Sequence, residues 1–494
     1  MICVPVVEQN IASAMKRIAA MKDETDIVEL RIDALSEKEQ ENISGLIAEA
    51  KRNRLKVIAT ARHIDAQGKR MMSTGQQIHL LQIATAHGAD YIDIELEAGD
   101  EAISKVMAAA SDVGCRIIIS THDFSRTPAN LGKVHDRIAA HKPDIVKIAV
   151  TPKGLKDVVR LTELAKANPG MIAIAMGEYG IPLRILYRRF GMPLMYCAPP
   201  GNTHRGNAPG QLDSREMRTL YRVQDISRRT HVFGVIGDPV AHSQGRIVYN
   251  TIFRMEKKDA VYVPILTDSP QAAIAFLHVI HAKGVSVTMP HKQTIMRYLD
   301  EVDPRARRIG AVNKITKTTK GFVGSNTDCP GAINALMSKT ELEGKHAVIL
   351  GAGGAARAIA FGLKEQGAEI TVLNRTVSKA KSLIKDVGRG NCGRLSDLKN
   401  IDQDILINTT SIGMAPHEDR CPIDENGIRP GTLVMDAVYR PEMTQLLKAA
   451  KKKGCTIVSG VEMYLNQGAL QYEEWTGSKA PLTLMRRIIR GEKG

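Results

Sequence analysis

Aromatic side chains are scarce: Phe, Trp and Tyr together make up 4% of the 494 residues, and there is one tryptophan. So little ring surface leaves few platforms on which bases of a nucleic acid could stack, although a net charge of +15 otherwise invites an anionic polymer. The basic excess is spread thinly, with residues 451–453 the only tight lysine run. Small anionic substrates account for it equally well, so neither nucleic acid nor membrane is expected as a partner. No apolar run approaches the ~20 residues that span a bilayer. The first residues enter a short apolar stretch without a charged leader. A cytoplasmic chain is expected, or a plastid one trimmed of its leader. The seven cysteines are odd in number, and no two have CxxC spacing. That excludes a disulfide framework and gives no zinc-ligand pattern, so free thiols and no metal are expected. What remains is a chain 43% hydrophobic and 24% charged, long enough for about three domains.

Short apolar runs at residues 2–7, 27–33, 56–62, 91–96, 116–122, 145–150, 171–177 and 194–198 alternate with helical periodicity, as at 76–86 and 153–167. The repeat of roughly 28 residues is that of a βα unit. Eight such units predict a parallel (β/α)8 barrel over residues 1–225. Glu29, Arg31, Arg62, Glu95, His122 and Lys147 lie in or at the ends of these apolar strands. In such a barrel they would converge on the C-terminal mouth; the plainer alternative is a set of solvated strand ends or paired interior ions. A charged stretch at 222–229 breaks the alternation, and a new strand begins at His231.

Further on, a strand at 346–350 runs into Gly351-Ala352-Gly353-Gly354-Ala355-Ala356, an Ala-rich helix follows, and a second strand at 369–373 ends in Asn374-Arg375-Thr376. This is the dinucleotide-binding fingerprint in its strand–turn–helix–strand setting, with the pyrophosphate expected at the helix N-terminus. A carboxylate at the end of the second strand would bind a free ribose 2′-hydroxyl and repel a 2′-phosphate. Arg375, with Lys379 one turn on, favours NADP instead. A surface arginine beside a structural turn is the alternative.

Alternation along residues 145–150 puts Lys147 on the barrel's inner face. Burial favours an amine's neutral, nucleophilic form, which attacks ketones to give imines. His122, on the neighbouring strand, is a proton shuttle working near neutrality. The stretches Glu29-Leu30-Arg31, Ser120 to Phe124, Lys147 to Pro152, Met176 to Arg184 and Ala208-Pro209-Gly210-Gln211 resemble type I 3-dehydroquinate dehydratase along residues 1–222. The resemblance implies that Lys147 forms an imine with the substrate ketone. His122 would take the C2 proton and return it to the departing hydroxyl, and Glu29 would orient His122. Arg31, Arg62, Arg184, Asn207 and Gln211 would hold the carboxylate and hydroxyls. Two departures stand out: Asn207 replaces the family's serine, and Ala66 or Gln67 its acidic lid residue.

Residues 231–494 resemble shikimate dehydrogenase through Gly237 to Ser243, Val287 to Lys292, Ile309 to Asn313, Asn326-Thr327-Asp328, the glycine loop, Asn374-Arg375-Thr376, Tyr439-Arg440-Pro441 and Gly460 to Gln467. The resemblance implies a substrate lobe over 230–330 plus 470–494 and a Rossmann NADP lobe over 331–469. Lys292 and Asp328 would be the catalytic pair, and Ser243, Gly245, Ser286, Thr288, Asn313, Tyr439 and Gln467 would bind substrate. Gly351, Gly353, Gly354, Ala355, Asn374, Arg375, Thr376, Lys379, Met414 and Gly460 would hold NADP(H). Gly245, Arg246, Tyr249 and Ser286 depart from the family. Losing a serine at 245 opens space for an added substrate hydroxyl; the alternative is that Arg246 replaces the missing carboxylate contact. Together the resemblances imply dehydration of 3-dehydroquinate followed by NADPH reduction of 3-dehydroshikimate. Action on quinate, or an impaired second half, is the alternative.

Overall fold

The computed structural model describes residues 1–62, 72–201, 210–240 and 243–492. The chain divides into two compact units, Met1–Gly234 with Pro239–Ala282 and Val235–Asp238 with Lys283–Gly494. No helix among the described residues is long and apolar enough to cross a membrane.

The first unit contains eight parallel strands, β1 (Ile2–Val6), β2 (Ile27–Arg31), β3 (Lys56–Thr60), β4 (Tyr91–Glu95), β5 (Arg116–Asp123), β6 (Ile145–Val150), β7 (Ile172–Ala175) and β8 (Met195–Tyr196). Their ladder runs β7-β6-β5-β4-β3-β2-β1-β8, and a helix follows each strand in the chain. The result is the expected (β/α)8 barrel, nearly closed, with β8 returning to β1 through Cys3 opposite Tyr196. Strands buried on both faces read as continuous Ile/Val runs, and in β5 Ile118 and Ile119 are fully buried. The second strand ends at Arg31 rather than 33 because residues Ile32–Ala34 turn at once into a short 3-10 helix.

The barrel elements end with the helix Ser214–Thr219, and β9 (His231–Gly237) follows. Packing nevertheless groups residues 239–282 with the barrel: helix Pro270–Val279 lies against helix Leu155–Ala167, and β10 (Ala260–Leu266) against helix Ile181–Ile185. In the second unit β11 (Ala282–Val287), β12 (Glu301–Val302), β13 (Lys314–Thr318) and β14 (Gly321–Ser325) form a ladder of order β11-β13-β14-β12.

The remaining six strands are β15 (His346–Leu350), β16 (Glu369–Leu373), β17 (Asn391–Gly393), β18 (Ile405–Asn408), β19 (Leu433–Asp436) and β20 (Thr456–Val458). Their parallel order, β17-β16-β15-β18-β19-β20, is the dinucleotide-binding arrangement with its switch point beside β15. Period-two alternation explains how β15 serves both faces: Ala347 and Ile349 join one apolar cluster, Val348 and Leu350 the other. A ligand is therefore expected at the carboxyl end of β15, where Gly351 begins.

Candidate active sites

Lys147 lies inside the barrel, 2% exposed. Its ammonium donates to Asp93 Oδ2 at 2.7 Å and Tyr196 Oη at 3.0 Å, and Glu29 Oε1 is 3.7 Å away. Asp93 Oδ1 in turn accepts from Ser120 Oγ at 2.6 Å, and Glu29 accepts from Thr60 Oγ1 at 3.0 Å. Buried charges persist only when paired and hydrogen-bonded, and this amine is held by both means.

His122 is two residues along β5 from Ser120, the residue paired with Lys147. Its Nε2 accepts from Arg62 at 3.1 Å, which leaves the ring proton on Nδ1, 3.8 Å from Glu95 Oε1. Burial, with the cations of Arg62, Lys147 and Arg31, holds its pKa well below the ordinary 6.5, so the ring is neutral and able to act as a base. The carboxylate beside the imidazole is thus Glu95. Glu29 does not take the orienting place expected of it, because strand register carries its side chain to Lys147 and Thr60 instead.

Arg31 forms a two-point ion pair with Asp33, at 3.0 and 2.6 Å. Arg184 is fully buried, donates to the Tyr196 carbonyl at 3.4 Å, and has its pKa lowered by burial to about 10. Gln211 follows Gly210, whose φ of +75° and close approach to the Gly177 carbonyl admit no side chain. Among the described residues, Arg62 Nε, His122 Nδ1 and Gln211 Oε1 are buried without a hydrogen-bond partner. Unpaired buried polar atoms are costly, so each of the three has bonding capacity left for a ligand. Asn207, Ala66 and Gln67 lie outside the described residues. Asp93 and Tyr196 were not singled out from the sequence. Asp93 was legible as a carboxylate two residues before Glu95 in an apolar strand; nothing marked Tyr196.

In the second unit, Lys292 Nζ lies 2.5 Å from Asp328 Oδ2. Asp328 Oδ1 accepts from Asn313 at 2.8 Å, and Asn313 also reaches Thr327 and Gln467. Gln471, unnoticed in the sequence, continues the chain to Gln467 at 2.7 Å and Ser286 at 2.6 Å. Thr288 is half-buried at the end of β11, and the Tyr439 ring stands 4.9 Å from that of Tyr464.

The glycine loop has the geometry its pattern predicts. Gly351 sits at φ +108°, and a Cβ there would come within 2.6 Å of Thr409 Oγ1. Gly353 faces open space and caps the helix Gly354–Glu365, which contains Ala355. The Lys292 stem runs beside this loop, its Cδ 3.1 Å from where a Gly354 Cβ would stand. At the end of β16, Asn374 bonds the Thr376 carbonyl at 2.9 Å, while Arg375, Thr376 and Lys379 are exposed. Met414 is half-buried in the loop after β18. Gly460 is buried so close to the Val438 carbonyl that a side chain would collide. A helix N-terminus without side chains beside two exposed cations fits a dinucleotide bearing a 2′-phosphate.

Two expectations for this half fail. Arg246 does not face a substrate: its guanidinium pairs with Glu216 of the helix Ser214–Thr219, and Tyr221 adds a hydrogen bond. Nor does Gly245 leave a void, because the Tyr262 ring, stacked 4.6 Å from Tyr249, comes within 3.0 Å of where a Cβ would be. Ser243 is half-buried, its hydroxyl accepting from the Gly245 amide at 3.4 Å.

Fold and sites together define an enzyme with two activities on one chain, a barrel that holds a buried lysine and a dinucleotide-dependent dehydrogenase. The chain is 35% identical, over 99% of its length and 84% of the relative's, to the Arabidopsis thaliana bifunctional 3-dehydroquinate dehydratase/shikimate dehydrogenase, chloroplastic. It belongs to that family of bifunctional 3-dehydroquinate dehydratase/shikimate dehydrogenases. The type I 3-dehydroquinase model matches residues 2–228. The shikimate dehydrogenase substrate binding domain matches 235–315, shikimate/quinate 5-dehydrogenase 334–415, and the shikimate 5′-dehydrogenase C-terminal domain 460–490. The NADP(+) shikimate dehydrogenase of Pyrococcus abyssi is 42% identical over 52% of this chain and 96% of its own. A crystal structure of shikimate dehydrogenase in complex with NADP+ covers 54% of this chain and 97% of its own at 37% identity, with a TM-score of 0.51.

Proposed function

We propose that the barrel dehydrates 3-dehydroquinate to 3-dehydroshikimate through an imine on Lys147, and that the second site reduces 3-dehydroshikimate to shikimate with NADPH. The observation that carries the reading is Lys147 itself: an amine 2% exposed, inside a barrel, one strand from a neutral imidazole. The substrate carboxylate draws Arg62 away from His122 Nε2. That nitrogen then removes the C2 proton and returns it to the C1 hydroxyl, which leaves as water. Glu95 steadies the ring from the Nδ1 side, while Asp33 keeps Arg31 fixed for a substrate oxygen.

In the second half, residues 230–330 plus 470–494 serve as the substrate lobe and 331–469 as the nucleotide lobe. Gly351, Gly353 and the amides from Gly354 hold the pyrophosphate, and Arg375 with Lys379 the 2′-phosphate. NADPH, when bound, supplies the hydride. Lys292 delivers a proton to the carbonyl oxygen; Asp328 positions that ammonium, and Asn313 positions Asp328.

Borohydride added during turnover of 3-dehydroquinate should fix an adduct that maps to Lys147. Lys147→Ala should remove dehydration and spare reduction, and Lys292→Ala the reverse. An adduct elsewhere, or one substitution removing both activities in a folded chain, would overturn the reading.

A further inference from the structure

Converting an ammonium and a ketone into an iminium ion and water moves two protons from nitrogen to oxygen. Lys147 Nζ donates to two groups, Asp93 Oδ2 at 2.7 Å and Tyr196 Oη at 3.0 Å. They stand on β4 and β8 and are 1% and 4% exposed. The third neighbour, Glu29, is at 3.7 Å, ion-pair range for the proton that stays on nitrogen.

We propose that Asp93 and Tyr196 are catalytic residues of imine formation and hydrolysis, each carrying one of the two protons between the Lys147 nitrogen and the oxygen that leaves as water. Asp93 first accepts a proton from the ammonium. The freed amine forms its bond to the carbonyl carbon, the C=O π pair moves to oxygen, and that oxygen takes the Tyr196 phenol proton. The phenolate recovers a proton from the now positive nitrogen, giving a neutral carbinolamine. The nitrogen lone pair then expels the hydroxyl, which departs as water with the proton held by Asp93. The iminium keeps one N–H, Asp93 is again a carboxylate and Tyr196 again a phenol, so protons and charge balance. Hydrolysis is the same path reversed.

Two features suit the pair to this work. Ser120 Oγ, bonded at 2.6 Å to Asp93 Oδ1, leaves Oδ2 aimed at the amine. Burial and the neighbouring Glu29 carboxylate push the Tyr196 phenol far above its ordinary range, so it enters each turnover protonated. His122, whose Nε2 accepts from Arg62 and whose Nδ1 lies 3.8 Å from Glu95, is left for the C–H and C–O steps.

This inference rests on Lys147 as the imine-forming amine, and oxygen exchange separates the two claims. Full-length protein is incubated with 3-dehydroshikimate in H2(18)O, and label entering the ketone is followed by mass spectrometry above the uncatalysed background. The wild type should exchange. Tyr196→Phe and Asp93→Asn should each exchange on the order of 10²-fold more slowly, with a matching loss of dehydration kcat and unchanged KM. Shikimate dehydrogenation by the same chains should stay at the wild-type level, which reports intact protein. Either variant exchanging as fast as wild type, with Lys147 still trapped by borohydride, overturns that residue's role and leaves the imine standing. No exchange and no adduct in the wild type overturns the imine itself.

Discussion

Replacing Asp436 by Asn should stabilise the nucleotide-binding fold, and by an amount that depends on pH. Asp436 ends β19 wholly buried; its oxygens accept from Asn408 at 2.9 Å, the Val438 amide at 2.9 Å and Thr444 Oγ1 at 2.7 Å. Burial outweighs these bonds and raises its pKa from 3.8 to about 6. For an acid shifted upwards, the folded state binds the proton more tightly than the unfolded chain. The site's stabilising contribution is therefore complete below about pH 3.8 and is lost as pH rises through about 6. The full penalty of the ionised form is about 3 kcal/mol above pH 7, and roughly half of it has developed by pH 5. Asn keeps the shape and both Oδ1 bonds, and its amide can donate to Thr444, so it escapes the penalty at a constant cost in bond rearrangement. That constant cancels when two pH values are compared. The advantage of Asp436→Asn over wild type should be about 1.4 kcal/mol larger at pH 8 than at pH 5, or about 3–6 °C in Tm for a region this size. Calorimetry of the full chain can assign the relevant transition as the one NADP+ raises. An Asn variant whose Tm difference from wild type is the same at both pH values would refute the reasoning.

Other consequences are open to simpler assays. Arg375→Ala should raise the KM for NADPH about tenfold or more, the worth of a charge-assisted bond, while leaving the KM for NADH unchanged; an equal rise for both cofactors would remove Arg375 from the 2′-phosphate. Asn313→Ala leaves Asp328 Oδ1 without its 2.8 Å donor, and shikimate oxidation should lose about tenfold in kcat, with KM for NADP+ unaffected. Gly245→Ser restores the family residue but drives a side chain towards the Tyr262 ring. It should lower Tm, at a cost of about 1–3 kcal/mol, without improving shikimate turnover; better turnover would show that the ring yields. Measurable quinate oxidation by the wild type would revive the broader-substrate reading.

Local regularities in the chain determined the architecture. A βα repeat of apolar runs specifies parallel strands, since only crossover helices of that length can join them. The Gly351 loop declares its own turn, because few residues tolerate a φ of +108° there. Alternation alone put Lys147 inside. Periodicity says which face a side chain takes, but not what it meets. Whether Glu29 stands beside His122 or Lys147 depends on the register between strands from distant parts of the chain, and so do the meetings of Asp93 and Tyr196 with one amine. Likewise Arg246 and Gly245 look like changes in a substrate pocket until Glu216 and Tyr262, thirty and seventeen positions away, are brought against them. Those partners are chosen by packing, which no local pattern encodes.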